Sequence, residues 1–283
     1  MPELPEVETV RRGLAPVMEG RTFARVTLNR PDLRFPFPDR FAERLEGARL
    51  DRLSRRAKFL VLELSTGETM FAHLGMTGRF TIQDGSRDPS DTAGYVHENP
   101  LDPRHDHAVF EMDDGTRVTF NDPRRFGFME LHAPGETTRL DHIGPEPLGN
   151  GFSGPVLREA TRGRKTKIKS ALLDQRVVAG LGNIYVCEAL WRAGVSPRRG
   201  SHRLKVAETD ALAGHIKDVL REAIAAGGSS LRDFANTDGD LGYFQHNFSV
   251  YGREGEPCPA CAAPVRRIVQ GGRSSFFCST CQS

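Results

Sequence analysis

The pattern that decides how the end of the chain folds is CPACAAPVRRIVQGGRSSFFCSTC, at residues 258–281. Two Cys-x-x-Cys pairs are separated by sixteen residues, a spacing typical of a structural zinc ribbon. Each pair places two thiolates on a tight turn, and the residues between them form a hairpin. Because four thiolates close a tetrahedral shell, we predict one structural Zn²⁺ with no open position for catalysis. The predicted ligands are Cys258, Cys261, Cys278 and Cys281, with two disulfides or free thiols as the alternatives.

The tip of this hairpin carries a cation. Gly271 and Gly272 allow a close backbone turn, and Arg273 follows them directly. A cationic side chain on a metal-anchored tip suits a nucleic-acid groove or a phosphate, although a solvated turn arginine gives the same pattern. A tail this short buries little core, so we expect metal binding to supply much of its folding free energy.

Upstream of the finger, residues 156–226 combine helical periodicity with positive charge. Helices are predicted around LREATR, KIKSALLD, IYVCEALWRAG and ETDALAGHIKDVLREAIAAG. Between Arg162 and Lys205 there are eleven Lys or Arg residues and only two acids, a local balance of +9. A face that binds a polyanion such as nucleic acid explains this asymmetry, and a solvated basic surface is the alternative. Cys187 lies in a helical pattern and is predicted to be a small core residue.

The N-terminal half has strand character after one leading helix. Residues 5–18 predict an amphipathic helix, with Pro5 in its first turn and apolar residues along one face. Further along, paired runs with strand character flank short turn segments, which predicts antiparallel hairpins. The pairs are 58–64 with 68–74 and 107–112 with 117–120.

Two stretches lack periodicity, and the chain lacks signals for a membrane or for secretion. Residues 84–106 are rich in Asp, Pro, Gly and Ser and predict a long surface loop, and the Gly- and Pro-dense stretch 143–155 predicts a linker. No apolar run reaches the ~18 residues that span a membrane. The N-terminus, MPELPEVETV, carries acids where a secretory signal carries bases. We therefore expect a cytoplasmic protein without a membrane partner, long enough for two domains.

Ordered motifs along the whole chain resemble those of the formamidopyrimidine-DNA glycosylases, the Fpg branch of the bacterial Fpg/endonuclease VIII family. The first half carries PELPEVETVRRGL at 2–14, RRAKFL at 55–60, HLGMTG at 73–78 and NDPRRFG at 121–127. The second half carries GPEPL at 144–148, GLGNIYVCEALW at 180–191, GYFQ at 242–245 and YGREGEPC at 251–258. One departure is the stretch 84–104, which is longer than the family usually carries.

The resemblance implies both a fold and an activity. The expected fold is α+β and multi-domain: an antiparallel β-sandwich with a leading helix, a helix–two-turn–helix domain and a zinc-ribbon hairpin. The expected activity is that of a bifunctional DNA glycosylase/AP lyase, which removes 8-oxoguanine and formamidopyrimidines from duplex DNA as a monomer. The implied bounds are 1–134 for the catalytic sandwich, 135–154 for the linker, 155–247 for the helix–two-turn–helix domain with its lesion loop, and 248–283 for the zinc finger.

The resemblance also implies four catalytic residues. Pro2, exposed by removal of Met1, is the implied nucleophile, since a secondary amine can form a Schiff base at C1′ of the sugar. Glu3 is the implied general acid and base beside that sugar. Lys58 is implied in phosphate contact and in proton donation during β-elimination. Arg273 is implied in contact with the phosphates that flank the lesion and in δ-elimination.

Further residues match the DNA-contacting positions of the family. Met76, Arg124 and Phe126 match the three side chains that fill the space left by an extracted base. From the residues alone, Met76 and Phe126 would be assigned to a core, and Pro2 to a helix start. The loop at about 229–243 matches the one that closes over the extracted base. The other implied DNA contacts are His73, His105, Lys165, Asn183 and Tyr243.

Two other functions fit parts of the pattern. An endonuclease VIII-like glycosylase shares the nucleophile and the zinc architecture but acts on oxidised pyrimidines. Leu4, Met76 and the NDPRRF motif favour the purine branch. A non-enzymatic nucleic-acid-binding protein would use only the basic helices and the zinc hairpin, and it would not need a free Pro2.

Overall fold

The computed structural model describes residues 2–83, 102–136, 138–229 and 244–283. The chain divides into two compact units, one formed by 1–138 with 227–243 and the other by 139–226 with 244–283. Most of the predicted loop at 84–106 lies outside the described residues, as does the lesion loop at 229–243 apart from its first residue. The four domain bounds implied by the sequence stay a prediction.

The first unit is the expected antiparallel β-sandwich with a leading helix. Its helices are α1 (Leu4–Met18) and α2 (Phe41–Leu45). Its strands are β1 (Phe23–Leu28), β2 (Leu50–Arg56), β3 (Phe59–Leu64), β4 (Thr69–His73), β5 (Arg79–Gln83), β6 (Asp106–Met112), β7 (Arg117–Asn121) and β8 (Phe128–His132). One sheet has the order β1-β6-β7-β5 and the other β2-β3-β4-β8, and all paired neighbours are antiparallel.

A shared apolar core holds the two sheets and the leading helix together. The helix contributes Val7, Val10 and Leu14, which recur at helical spacing and are each about 1% exposed. Phe23 and Phe110 pack edge to face, with ring centroids 5.9 Å apart. The predicted amphipathic helix is therefore confirmed, and its apolar face packs into this core.

The predicted hairpins are also present. β6 and β7 are joined by the turn at 113–116, where Gly115 has a φ of +88° that favours glycine. The Gly115 N–H donates to the Met112 carbonyl at 3.0 Å, and the Thr116 N–H donates to Asp114 Oδ1 at 3.0 Å. β3 and β4 pair in the same manner across the turn at 65–67.

The second unit contains the predicted helices and the finger hairpin. Its helices are α3 (Gly154–Thr161), α4 (Ile168–Leu173), α5 (Asn183–Arg192) and α6 (Val206–Ala225), and its hairpin consists of β9 (Arg266–Gln270) and β10 (Arg273–Phe277). Among the described residues, no helix combines the length and the apolar character that crossing a membrane demands.

Part of the predicted linker packs within this second unit. The Gly144 N–H donates to the Gln175 carbonyl at 2.8 Å, and a Cβ on Gly144 would lie 2.5 Å from the Arg176 carbonyl oxygen. Phe152 is 1% exposed. Gly144 therefore allows close packing against the turn that follows α4.

Candidate functional site

The start of α1 is buried and fixed by a carboxylate. Pro2 and Glu3 are both buried, and Glu3 directly precedes the helix. The Glu3 N–H donates to Glu6 Oε2 at 2.8 Å, while Glu6 Oε1 accepts from the N–H and the hydroxyl of Ser229 at 2.8 and 3.0 Å. No local sequence pattern indicates this role of Glu6, because Ser229 lies far along the chain. The residues implied as nucleophile and general acid thus lie on a fixed backbone.

Lys58 lies in the turn between β2 and β3 and is 7% exposed. The preceding residue, Ala57, has a φ of +53°, and its carbonyl accepts from Arg55 Nη1 at 2.8 Å. Arg55 Nε lies 3.3 Å from Glu8 Oε2. Because Glu8 belongs to α1, this ion pair connects the helix that follows Pro2 and Glu3 to the turn that presents Lys58.

Glu8 is the centre of a local charge cluster. It forms hydrogen bonds with Arg11 and Arg12 as well as with Arg55. Partial burial acts to raise the pKa of Glu8, but the hydrogen bonds from Arg11 and Arg12 and the charge of Arg55 outweigh burial and lower that pKa below its ordinary value. Glu8 is therefore a carboxylate at neutral pH.

The implied space-filling residues lie on two adjacent segments. Arg124 and Phe126 are exposed on the loop between β7 and β8, and the guanidinium carbon of Arg124 lies 4.7 Å from the centroid of the Phe126 ring. Met76 is half-buried in the turn after β4. A Cβ on Gly75 would lie 2.3 Å from the Phe126 carbonyl carbon, so the two segments are in direct backbone contact. From the residues alone, Met76 and Phe126 would be assigned to a core. For Phe126 this assignment is wrong, because its side chain is exposed.

The two implied histidine contacts occupy the same unit. The His73 ring stacks on Phe128, with centroids 5.1 Å apart, and its Nδ1 accepts from the Gly75 N–H at 3.0 Å. In the neutral ring this bond assigns the proton to Nε2. The His105 carbonyl accepts from the Asp122 N–H at 3.0 Å. Both histidines are thereby connected to the segments that carry Met76 and Arg124.

In the second unit, one carbonyl joins the helices to the hairpin. The Ser274 oxygen accepts from Asn183 Nδ2 and from Lys169 Nζ, each at 2.9 Å. Lys169 is fully buried, and sequence reasoning missed it, although a lysine among the apolar residues of α4 was a signal. Lys165 is exposed just before α4. Because Ser274 follows Arg273, these bonds fix the start of β10 relative to α4 and α5.

The hairpin tip has the predicted form. Gly271 and Gly272 have φ values of +55° and +74° and separate the paired residues Gln270 and Arg273. Arg273 is exposed, and Gln270 Nε2 donates to the Pro197 carbonyl at 3.1 Å. The cation is therefore displayed by a tight turn whose base is bonded to the helical part of this unit.

The four finger cysteines form one cluster. Their Sγ atoms all lie within 4.8 Å of one another. The Cys258–Cys281 and Cys261–Cys278 sulfur distances, 3.9 and 3.4 Å, are longer than the ~2.05 Å of a disulfide. The disulfide alternative is therefore wrong, and the donor set fits one Zn²⁺ in a closed, structural site.

Crowding gives the thiols of this cluster different acidities. Burial acts to raise the pKa of Cys258, but hydrogen bonds from the Ala260 backbone, from Trp191 and from Cys261 lower it to about 6. The pKa of Cys281 is raised to about 12, first by its hydrogen bond with Cys261. Without a cation the crowded thiols do not ionise together, whereas bound Zn²⁺ would stabilise four thiolates. Cys187 is buried outside this cluster, as predicted.

The structure groups the implied site residues by unit. The first unit contains Pro2, Glu3, Lys58, His73, Met76, His105, Arg124 and Phe126, and the second contains Lys165, Asn183, Arg273 and the four cysteines. Tyr243 lies outside the described residues. The fold and these sites define a class of proteins that combine a β-sandwich, a helix–two-turn–helix segment and a four-thiolate finger.

Comparison with known proteins identifies the family within that class. Residues 1–129 match the formamidopyrimidine-DNA glycosylase N-terminal domain, residues 143–235 match the H2TH domain of the same proteins, and residues 255–283 match the zinc finger found in FPG and IleRS. The chain belongs to the formamidopyrimidine-DNA glycosylase family.

Full-length relatives and solved structures agree with this assignment. The chain is 60% identical to the formamidopyrimidine-DNA glycosylase of Ruegeria pomeroyi and 56% identical to that of Brucella ovis, with 100% of each chain covered. It superposes on the MutM (Fpg) protein of Thermus thermophilus with a TM-score of 0.84 at 40% identity, covering 99% of this chain and 98% of that one. A Lactococcus lactis Fpg variant, solved with Fapy-dG-containing DNA, gives 0.85 at 34% identity with full coverage of both chains.

Proposed function

We propose that this chain is a bifunctional DNA glycosylase/AP lyase of base excision repair that removes 8-oxoguanine and formamidopyrimidines from duplex DNA. The observation that carries the proposal is the buried Pro2–Glu3 entrance of α1, which Glu8 and Arg55 connect to the turn that presents Lys58. The names and identities of the full-length relatives support the same activity.

In the proposed glycosylase step, the Pro2 nitrogen attacks C1′ of the damaged nucleotide. The bond between C1′ and the base breaks, and the base leaves with a proton. Glu3 protonates the sugar ring oxygen, so that the ring opens and an iminium joins Pro2 to C1′. The Pro2 nitrogen attacks as a neutral amine, because a protonated amine has no lone pair to donate.

In the proposed lyase steps, the iminium acidifies the neighbouring C–H bonds of the opened sugar. Loss of the C2′ proton expels the 3′ phosphate, and loss of the C4′ proton then expels the 5′ phosphate. Lys58 is assigned to phosphate contact and proton transfer in the first elimination, and Arg273 to the second. Zn²⁺ has a structural role and takes part in no step, because its four protein ligands complete the coordination shell.

The remaining residues are assigned to DNA binding. Met76, Arg124 and Phe126 fill the space vacated by the base, and the exposed Arg124–Phe126 pair supports this assignment. The solved relatives with lesion-bearing or abasic DNA support a double-stranded DNA partner. We propose that the protein acts as a monomer in the cytoplasm; a stable dimer in sedimentation at assay concentration would contradict the first part. The other proposed contacts are His73, His105, Lys165, Asn183 and Tyr243.

Borohydride trapping tests the mechanism. With duplex DNA containing 8-oxoguanine opposite cytosine, the wild-type protein is expected to give a covalent adduct, and Pro2→Gly is expected to reduce that adduct strongly. Pro16→Ala, at a proline within the helix that follows Pro2, is the matched control and is expected to trap normally. Intact mass reports removal of Met1.

Other outcomes separate the alternatives. DNA binding by a folded wild-type protein without any trapped species would favour the non-enzymatic reading. Faster trapping with an oxidised pyrimidine than with 8-oxoguanine would favour the endonuclease VIII-like alternative. Full incision activity in protein that entirely retains Met1 would contradict the role of Pro2.

A further inference from the structure

A buried carboxylate lies directly beneath the two segments that carry the space-filling residues. Asp122 is 0% exposed, although it opens the same loop on which Arg124 and Phe126 are exposed. One of its carboxylate oxygens accepts from the Thr77 hydroxyl, and the other accepts from the Gly127 N–H at 2.8 Å. Asp122 therefore joins the turn that contains Met76 to both ends of the Arg124–Phe126 loop.

Thr77 completes this connection. It is 7% exposed, its hydroxyl donates to Asp122, and the same oxygen accepts from the Arg124 N–H at 3.3 Å. The separation of Met76 from Arg124 is thus set by two hydrogen bonds through one hydroxyl. The contact of Gly75 with the Phe126 backbone leaves no room for a side chain between the segments.

The backbone of Asp122 extends the network to a third segment. Its N–H donates to the His105 carbonyl at 3.0 Å, and its carbonyl pairs with His107 Nε2 at 2.9 Å. The segment that ends at His105, just before β6, is thereby fixed to the same residue. One buried residue consequently connects the Met76 turn, the loop that carries Arg124 and Phe126, and the segment that ends at His105.

The chemistry of this site favours a geometric role over a contribution to stability. Within the described residues, the Asp122 carboxylate is bonded only to neutral donors, a hydroxyl and a backbone N–H. Burying a carboxylate without a cationic partner is costly, and an apolar side chain would pack at lower cost. If the Met76 turn and the Arg124–Phe126 loop must keep a fixed separation, they require a short side chain between them whose two oxygens accept directional hydrogen bonds.

We infer that Asp122 and Thr77 are positioning residues that make the Met76 turn and the Arg124–Phe126 loop act as one rigid wedge during base extraction. The inference rests on the proposed function, because it assigns these residues to the base-extraction step. It follows that disrupting the Thr77–Asp122 bond affects steps that replace a stacked base more than steps that begin from an abasic site.

The decisive variant is Thr77→Val, which preserves shape and removes the hydroxyl. It is expected to slow excision of 8-oxoguanine opposite cytosine by about tenfold, since a buried acceptor and the Arg124 N–H lose their partner. Cleavage of a strand with a preformed abasic site is expected to change by less than about twofold, because no base must be extracted. Because a guanidinium can pair with the orphaned cytosine, a preference for cytosine over adenine opposite the lesion is expected to fall as Arg124 loses its fixed position.

Two controls and a second variant accompany this test. Thr77→Ser keeps the hydroxyl, and Thr119→Val makes the same change at another buried threonine, in β7; both are expected to behave as wild type. Asp122→Asn replaces one acceptor oxygen by a donor, so it is expected to reproduce the effect of Thr77→Val. Circular dichroism gives the folded fraction of each variant.

The results that would overturn this inference differ from those that would refute the proposed function. An inactive wild-type protein would refute the glycosylase assignment itself. With an active wild type, the inference is overturned if Thr77→Val and Asp122→Asn keep the wild-type rate and opposite-base preference. It is equally overturned if they lose excision and abasic-site cleavage in parallel, or if neither folds, since Asp122 and Thr77 would then serve stability alone.

Discussion

Glu8 links the two parts of the proposed catalytic centre, the start of α1 and the turn that presents Lys58, through an ion pair. Its carboxylate is paired with Arg55, which donates to the carbonyl before Lys58, while its own helix begins directly after Glu3. The arginines around it lower its pKa against the opposing effect of burial. This link between α1 and the turn that presents Lys58 therefore depends on the ionisation of Glu8.

This dependence predicts the response of stability to pH. A carboxyl whose pKa is lower in the folded state stabilises the fold above its unfolded pKa, and the contribution is lost as pH falls through the folded value. Glu8→Gln is therefore expected to lower the free energy of unfolding near neutral pH, and its difference from wild type is expected to shrink below about pH 4. Urea unfolding across this range measures the effect.

The matched control for this prediction is Glu43→Gln, which removes an exposed ion pair with Arg40. Exposed pairs contribute little, so this variant is expected to follow the wild type at every pH. A difference between Glu8→Gln and wild type that stays constant down to pH 3 would contradict the ionisation argument.

The sequence could predict some of the site residues but not the hydrogen-bond partners of others. Motifs suggested Pro2, Glu3 and Arg273, because short segments carry their resemblance. The partners of Glu6, Lys169 and Asp122 lie far along the chain, at Ser229, Ser274 and Thr77. Local periodicity holds no information about such pairs, so their roles emerged only from the three-dimensional contacts.

At the scale of elements, the strands with clear sequence signals are the central ones. The runs predicted at 58–64, 68–74, 107–112 and 117–120 became β3, β4, β6 and β7, which occupy the middle of their sheets. The strands without a clear signal, β1, β2, β5 and β8, are all edges. β2 shows the cause: an edge strand such as LDRLSRR carries exposed and half-buried polar residues, so its hydrophobic pattern is weak.

The segment 249–251 is bonded to α5 through one buried carboxylate. Glu188, on α5, is 1% exposed and accepts the N–H groups of Ser249, Val250 and Tyr251 at 2.8–3.0 Å. In Glu188→Gln an amide donor would face one or more of these N–H groups. We expect the free energy of unfolding to fall by about 1–3 kcal/mol, measured by urea denaturation.

Glu222→Gln is the control for Glu188→Gln. Its carboxylate pairs with Arg192, but the side chain is 51% exposed, so a much smaller loss is expected. Equal losses in the two variants would refute the importance of the three N–H contacts.

At the scale of the whole molecule, binding is expected to depend on charge and on the finger together. Neutralising phosphates with Lys and Arg side chains releases counterions, so affinity for duplex DNA is expected to fall steeply with salt.

Cys258→Ser is expected to unfold the finger, release zinc and weaken DNA binding, while most of the helical circular dichroism signal remains. Ser279→Ala, at an exposed position beside a ligand, is the control.

Metal content and DNA affinity, measured on the same samples, check this prediction. A zinc-free Cys258→Ser protein that bound DNA with wild-type affinity would show that the hairpin does not contribute to binding.

The indole of Trp191 donates to the sulfur of Cys258 at 3.4 Å, and the chain has a single tryptophan. The molecule consequently contains its own optical probe, seated against a ligand of the metal. When a chelator withdraws the ion, the quenching and polarity around that ring must change, so emission intensity and wavelength follow the loss in real time. Unlabelled protein is therefore sufficient to time the disassembly of the finger.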